Sequence, residues 1–237
     1  MRLLLLSNST LYGQPYLDWP KKEIRKYLRD DPIEVLFIPY AGIMVGYDSY
    51  TEMVAGPFNR LGYSIRPIHL ETDPLEAVNN AAAIAIGGGN TFHLLYSLYE
   101  NNLVQALREK VENGTPFIGW SAGSNMACPT IRTTNDMPII EPKSFDALNL
   151  VPFQINPHYL DLKLEGHAGE TREQRLEEFL EVNQDIYCVG LREGTALRRE
   201  GSKLTLLGDR KMRLFRYGAE PMEYTRLDNL DFLLASH

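Results

Sequence analysis

The sequence predicts an α/β protein whose central sheet is mostly parallel. Short apolar runs alternate with stretches of helical periodicity, which is typical of parallel strands joined by crossover helices. Two of these runs end directly in glycine-rich turns, at residues 87–89 and 119–123. From residue 195 to 224 the pattern indicates hairpins, with a turn at residues 200–202. No linker or repeat interrupts the chain, so we expect one domain over residues 1–237.

The first half of the chain supplies strands and helices in alternation. Apolar runs predict strands at residues 3–6, 34–38, 63–68 and 83–86. An aspartate shortly before a proline marks the start of two helices, because aspartate caps a helix and its first turn tolerates proline. The predicted helices occupy residues 18–29, 48–61 and 73–80, the second in spite of an internal Gly-Pro pair.

The second half contains a long segment without periodicity, at residues 129–156. It is rich in Pro, Asn and Asp, so we expect mostly loop, and long loops inside compact domains are usually functional. Thr171 followed by Gln174 predicts a capping box at the start of a helix. Further helices are predicted from residue 92, at 103–111 and at 171–182, and further strands at 116–118 and 186–191.

Composition and charge limit the classes of function. The 237 residues are 44% apolar and 23% charged, and the net charge of −7 argues against nucleic acid as a partner. The two cysteines, Cys128 and Cys188, are too few for a disulfide framework and indicate a reducing compartment. The run at residues 3–6 is shorter than the about 7–15 residues of a signal-peptide core, and no run approaches the ~20 of a membrane span. We therefore expect a cytoplasmic protein without membrane contact.

The most informative stretch is Gly119-Trp120-Ser121-Ala122-Gly123. It follows an apolar run and precedes a segment that can start a helix. A strand that turns into a helix at G-x-S-x-G is a nucleophile elbow, in which glycines permit the sharp turn. The pattern predicts Ser121 as a nucleophile; the alternative is a serine that only caps the helix.

A glycine triplet, residues 87–89, ends the predicted strand at 83–86. It lacks the spacing of a phosphate-binding loop. It suits an oxyanion hole, because glycines let backbone N–H groups approach a developing oxyanion closely. One donor would be the N–H of Ala122, and Gly88 or Gly89 would supply the other. A tight turn before a helix capped by Asn90 is compatible with this role.

A serine nucleophile needs a base, and the chain has five histidines. His158 is the first candidate because it lies in a region that we expect to be a loop, where functional residues concentrate. His167 is the second candidate, whereas His69 and His93 suit structural roles and His237 is terminal.

The base in turn needs a carboxylate to orient it. Glu193 directly follows a predicted buried strand, and Asp161 and Asp136 are rivals. The chain order of α/β-hydrolases, Ser, acid, His, would instead favour Asp136 or Asp146. The residues alone leave this choice open.

One cation stands where helices prefer acids. Arg172 begins the helix predicted at residues 171–182, and this position indicates binding of a carboxylate. A surface ion pair with Glu170 or Glu173 is the common alternative.

Together these residues resemble the α-aspartyl dipeptidases, also called dipeptidase E, of the serine peptidases related to cyanophycinase. The resemblance covers nearly the whole chain. It is carried by blocks at residues 87–92, 119–123, 128–138, 155–158 and 169–175, which read GGGNTF, GWSAG, CPTIRTTNDMP, INPH and GETREQR.

The resemblance implies a flavodoxin-like sandwich similar to the class I glutamine amidotransferase domain, with helices on both faces of the sheet. It implies a triad in the order Ser, His, Glu, formed by Ser121, His158 and Glu193. It also implies hydrolysis of a small peptide substrate, a dipeptide with an N-terminal aspartate, without a metal or cofactor.

The implied substrate gives the remaining polar residues a purpose. Its side-chain carboxylate would bind Arg172 with help from Asn90, and its ammonium group would bind Asp136. Two other functions stay open: a cyanophycinase-like hydrolase of β-aspartyl-arginine, and a non-catalytic module whose glycine triplet holds an anion. The chain would act as a monomer or a homodimer.

Overall fold

The computed structural model describes residues 1–29, 32–161 and 169–235. Its strands are β1 Arg2–Leu6, β2 Glu34–Ile38, β3 Ser64–Pro67, β4 Ala83–Ile86, β5 Phe117–Trp120, β6 Gln154–Tyr159, β7 Cys188–Arg192, β8 Ala196–Glu200, β9 Lys203–Leu207, β10 Met212–Phe215 and β11 Met222–Tyr224. Its α-helices are α1 Lys21–Leu28, α2 Tyr47–Arg60, α3 Pro74–Asn79, α4 Thr91–Glu100, α5 Leu103–Glu112, α6 Ala122–Asn125 and α7 Arg172–Val182.

The larger sheet has the strand order β3-β2-β4-β5-β1-β8-β9. Neighbouring strands from β3 to β1 are parallel, and the hairpin of β8 and β9 adds two antiparallel strands beside β1. The carboxyl ends of β4, β5 and β1 therefore lie side by side. Ligands of open α/β sheets bind outside this edge.

Helices cover both faces of the larger sheet, as its buried strands require. Alternate residues of β1 divide between two cores, because successive side chains of a strand point to opposite faces. Leu3 and Leu5 belong to the core that α3, α4 and α5 complete, and Leu4 and Leu6 to the core that α1 and α2 complete. The predicted α/β class, with a mostly parallel sheet between helices and hairpins near the C-terminus, is confirmed.

A smaller sheet, of order β11-β10-β7-β6, stands beside the first. Its parallel pair β6 and β7 brings His158 and the residue after β7, Glu193, to one end. The helix α7 packs on this sheet through Leu176 and Leu180. None of the helices that the structure describes is long and apolar enough to span a membrane.

Most predicted elements are found within a few residues of their expected bounds, including the capping box of Thr171 and Gln174. One expectation is wrong: residues 154–156 begin β6, so His158 lies on a strand and not in a loop. The strand was hidden because it carries polar side chains, and the groups that these side chains bond to lie in a distant part of the chain. Asn156, for example, donates to the carbonyl of Thr133. Pro157 fits because β6 is an edge strand.

Candidate active site

The G-x-S-x-G segment forms the expected turn between β5 and α6. Ser121 has φ 53° and ψ −114°, a strained conformation that in folded proteins often marks a functional residue. A Cβ on Gly119 would lie 2.4 Å from the carbonyl oxygen of Gly123, and one on Gly123 would lie 2.1 Å from that of Ile86. Both glycines are therefore required by backbone contacts. The side chain of Ser121 does not cap α6, so the structural alternative is not realised.

The Ser121 hydroxyl lies at one end of a chain of hydrogen bonds. Its Oγ is 2.9 Å from Nε2 of His158, and Nδ1 of His158 is 2.7 Å from Oε1 of Glu193. An ionised carboxylate only accepts hydrogen bonds, so Nδ1 carries the proton and Nε2 is left to accept from Ser121. The side chains of His158 and Glu193 are 37% and 38% exposed, so the pair is partly screened by water.

A bulge in β6 directs His158 toward Ser121. The pairing register with β7 shifts between Pro157 and Tyr159, and His158 has a φ of 53°. Its backbone N–H donates to Oγ of Ser7, and this hydroxyl donates to the carbonyl of Leu191. A bulge beside a functional site re-aims a side chain, which is its effect here.

Two residues of this support were missed in the sequence. Ser7 contacts the backbone of His158, and Asn8 accepts from the N–H of Gly194 through Oδ1, next to Glu193. The available signal was their position: they directly follow β1, at the edge of the sheet where sites form.

The glycine triplet lies against the elbow. A Cβ on Gly88 would lie 3.0 Å from Cβ of Ser121, and Gly89 has φ 135°, with its Cβ position 2.1 Å from the carbonyl oxygen of Ala41. Within the described chain, the N–H groups of Gly88, Gly89 and Ala122 donate no hydrogen bond. Gly88 and Gly89 line the same space as Ser121, and Ala122 directly follows Ser121, so these three N–H groups are the candidate donors of an oxyanion hole.

A cavity of about 630 Å³ opens in front of these groups. Ser121, His158, Gly88, Gly89 and Asn90 line one part of it. Its other walls are aromatic and aliphatic, formed by Tyr16, Tyr50 and Trp120 and by Ile43, Met44, Val45, Met53 and Ile139. No Asp, Glu, Lys or Arg is among the described residues that line it.

Asn90 and Asp136 both cap α4. Oδ1 of Asn90 accepts from the N–H of His93, and its Nδ2 donates to the carbonyl of Met137. Oδ2 of Asp136 accepts from the N–H and the hydroxyl of Thr91. Asn90 lines the cavity, whereas Asp136 lies beyond Thr91 and does not line it.

Arg172, the first residue of α7, also does not line the cavity. Its Nη1 is buried and has no hydrogen-bond partner among the residues that the structure describes. Burial lowers the pKa of its guanidinium, as does Arg175, while nearby Asp136 opposes the shift. The predicted alternative, a surface ion pair with Glu170 or Glu173, is not formed. These carboxylates pair instead with other arginines, Arg175 and Arg213.

The rival candidates lie elsewhere. His69 pairs with Asp48, and Nδ1 of His93 bonds to the carbonyl of Tyr40. Asp161 pairs with Arg192. Asp146 contacts Thr130 through a backbone bridge. His167 and His237 lie outside the described residues. Among the residues that the structure covers, no group of three or more His, Cys, Asp or Glu could hold a metal ion.

Comparison with known proteins decides the family. Residues 3–207 match the model of peptidase family S51. The chain belongs to peptidase family S51. The family resemblance seen in the sequence blocks is thus confirmed.

Relatives of the family support this over nearly the full length. A protein named Peptidase E from a Nostoc species is 54% identical, over 98% of this chain and 96% of that protein. Peptidase E from Shewanella amazonensis is 52% identical, over 91% and 92%. Peptidase E from Streptomyces coelicolor is 48% identical, over 99% and 95%. These relatives favour a peptidase over the cyanophycinase-like and non-catalytic alternatives.

Two solved structures share the fold. A putative peptidase E from Listeria monocytogenes superimposes with a TM-score of 0.65 at 22% identity, covering 87% of this chain and 98% of that one. A peptidase from an actinobacterium gives 0.66 at 18% identity, covering 94% and 96%. At this level of identity the likeness concerns the fold alone.

Proposed function

We propose that the protein is a serine dipeptidase that hydrolyses dipeptides with an N-terminal aspartate. The observation that carries the proposal is the hydrogen-bonded chain from Glu193 through His158 to Ser121. It ends in a cavity beside the backbone N–H groups of Gly88 and Gly89, which have no acceptor among the described residues. The name Peptidase E of relatives that are about half identical over nearly the whole chain supports the same reaction class.

The first half of the reaction transfers the aspartyl group to the enzyme. His158 takes the proton of Ser121 through Nε2 while Oγ attacks the carbonyl carbon of the N-terminal aspartate. The carbonyl electrons move to oxygen, and the N–H of Ala122 and that of Gly88 or Gly89 stabilise the oxyanion. As the oxyanion collapses, His158 gives its proton to the leaving amine and the peptide C–N bond breaks.

The second half releases aspartate. His158 removes a proton from a water molecule, which attacks the acyl carbon, and the proton then returns to Oγ of Ser121 as the ester bond breaks. Glu193 fixes the orientation and tautomer of the imidazole and stabilises the imidazolium in both halves. Every proton transfer uses groups of this chain and water.

We assign selectivity for aspartate to Arg172, Asn90 and Asp136. A buried Nη1 that lacks a partner among the described residues is costly, and a substrate carboxylate would relieve that cost. Nδ2 of Asn90 lies at the N-terminal end of α4, which Asp136 also caps. Oδ1 of Asp136 accepts no hydrogen bond from the described residues, which leaves it available for the substrate ammonium group. A substrate without the carboxylate would leave Arg172 unpaired and be rejected.

We also propose that residues 1–237 act as one domain in the cytoplasm, as a monomer or a homodimer. The two cysteines support a reducing compartment, because both are buried free thiols. Burial raises the pKa of Cys128 to about 12, so this thiol is protonated and unreactive at neutral pH.

The test is hydrolysis of Asp-Leu against Leu-Leu, in the presence of a chelator, by the wild type and the Ser121→Ala variant. We expect rapid release of aspartate from Asp-Leu only, and loss of that activity in the variant. Ser202→Ala, in the exposed turn between β8 and β9, is the matched control. A fluorophosphonate should label Ser121 in the wild type. Equal cleavage of both peptides, cleavage of β-Asp-Arg instead, or an active Ser121→Ala variant would contradict the proposal.

A further inference from the structure

Tyr50 lies directly beneath the glycine triplet. Its side chain is 6% exposed, and its hydroxyl donates to the carbonyl of Gly88 at 3.0 Å. The same oxygen accepts from Nε1 of Trp120 at 3.1 Å and from the hydroxyl of Tyr16 at 3.3 Å. Tyr50 therefore connects α2 to the loop that the proposed mechanism uses.

The direction of the Tyr50 hydroxyl proton is fixed by its neighbours. The carbonyl oxygen of Gly88 can only accept, so the contact of 3.0 Å requires the proton of Tyr50. Tyr16 therefore donates to Tyr50, and the indole N–H of Trp120 is shared between the hydroxyl oxygens of Tyr16, at 3.0 Å, and Tyr50, at 3.1 Å. The single proton of Tyr50 is left for Gly88. Burial raises the pKa of Tyr50 well above its ordinary value, so this proton is present throughout the working pH range of a serine peptidase.

The tyrosine also explains the first glycine of the triplet. A Cβ on Gly87 would lie 2.4 Å from the Tyr50 hydroxyl oxygen. Gly42 has its Cβ position 3.0 Å from Cδ1 of the same ring. The backbone thus packs directly on the ring, and the loop has little freedom to move relative to it.

A fixed carbonyl fixes the whole peptide plane. The Gly88–Gly89 peptide is trans, as are all peptide bonds of the described chain, so the N–H of Gly89 points opposite to the carbonyl that Tyr50 holds. That N–H has no partner in the described part of the chain, and Gly89 lines the cavity with Ser121. We propose that Tyr50 is a positioning residue of the oxyanion hole, and that the N–H it positions is that of Gly89. The inference rests on the proposed function, because it needs an oxyanion to stabilise.

The test is the Tyr50→Phe variant, which keeps the ring and removes the hydroxyl. Loss of a complete oxyanion donor costs roughly 10²–10³ in kcat, and loss of its alignment costs less, so we expect kcat for Asp-Leu to fall about tenfold. KM should stay within about twofold, because the interaction forms only in the transition state.

A pair of ligands separates this role from a structural one. The aldehyde analogue of aspartate would bond to Oγ of Ser121, its carbonyl electrons forming an oxyanion while the hydroxyl proton passes to His158. It should bind about tenfold more weakly to the Tyr50→Phe variant, as kcat predicts. Free aspartate forms no oxyanion and should bind equally to both proteins. Equal weakening of both ligands would indicate a distorted cavity and overturn the proposal.

The matched control is Tyr27→Phe. Tyr27 is another buried tyrosine, and its hydroxyl donates to the carbonyl of Phe117 at the opposite end of β5 from Ser121. Like Tyr50→Phe, this variant loses a hydroxyl that donates to a carbonyl and accepts from an N–H group, here that of Phe117, and it should keep kcat. An unchanged kcat in Tyr50→Phe refutes the role of Tyr50, whereas a wild type inactive on Asp-Leu refutes the proposed function instead.

A second measurement does not depend on whether Tyr50→Phe folds. A crystal structure of the wild type with the aspartyl aldehyde should place the adduct oxygen within hydrogen-bond distance of the N–H of Gly89, with Tyr50 still bonded to Gly88. An adduct oxygen that contacts Gly88 N–H or solvent instead would overturn the proposal.

Discussion

Replacing Glu193 by glutamine tests the electrostatic part of the proposed triad. The carboxylate lies 2.7 Å from Nδ1 of His158, which places the charge centres about 4 Å apart once the histidine is protonated. Such a pair attracts by about 4 kcal/mol at an effective dielectric constant of 20 and about 1 kcal/mol in water. Because the Glu193 side chain is 38% exposed, we expect a loss between these limits. A value of about 2–3 kcal/mol lowers kcat roughly 30- to 160-fold.

The assay is kcat for Asp-Leu as a function of pH. The amide of the Glu193→Gln variant can donate to Nδ1, so part of the histidine takes the wrong tautomer, and KM should change little because the loss concerns the transition state. The Glu178→Gln variant, which changes an exposed carboxylate on α7, serves as the control. A fall in kcat smaller than about threefold would refute the reasoning, because it would mean that the carboxylate does not stabilise the imidazolium.

Three further predictions concern the scaffold and the substrate. Gly123→Ala should abolish activity and lower the free energy of unfolding by more than about 2 kcal/mol, because the added methyl group would overlap the carbonyl of Ile86. Gly46→Ala, whose added methyl group has open space around it, should change neither quantity. Thermal melts and activity assays of both variants measure this. Arg192 lowers the pKa values of its partners Asp161 and Glu223, so their contribution to stability is present above their unfolded values of 3.8 and 4.5 and is lost as the pH falls below them. Acid titration of unfolding should therefore show a weaker loss of stability in Arg192→Met than in the wild type. Arg172→Gln should lower kcat/KM for Asp-Leu by roughly 10- to 150-fold, which is the contribution of one hydrogen bond to a charged group, and should leave kcat/KM for Asn-Leu unchanged. Equal losses on both peptides would contradict the assignment of Arg172.

The larger sheet was predictable because its signals are local. The strand β4 and the last four residues of β2 are continuous apolar runs, and the elbow around Ser121 carries its own glycine spacing. The strand β6 was not predictable in this way, because its residues bond to the preceding loop. Such tertiary contacts leave no local signal in the sequence. A loop was the reasonable inference from those letters, and it was wrong.

The carboxylate that orients His158 could not be predicted from local sequence either, because it too depends on tertiary contacts. Glu193 and His158 are far apart in sequence, and the parallel pairing of β6 with β7 brings them together. Spacing along the chain carries no information on that pairing, so the residues alone left several carboxylates open. Only the resemblance to a family selected Glu193 among these carboxylates, and in the structure Glu193 lies against His158.

The carboxyl end of β1 explains how three separate elements meet with the accuracy that acyl transfer needs. The carbonyl of Leu6 accepts from the N–H of Ser121, the hydroxyl of Ser7 accepts from the N–H of His158, and Oδ1 of Asn8 accepts from the N–H following Glu193. Each member of the proposed triad is thus attached, directly or through its neighbour, to one of three consecutive residues. Ser121 and His158 both have a φ of 53°, a conformation that costs of order 1–3 kcal/mol for such residues and persists only when its surroundings fix it. The residues at the end of β1 fix this conformation, because β1 is held between the two cores of the larger sheet. A shift of β5 or β6 alone would therefore break one of these hydrogen bonds.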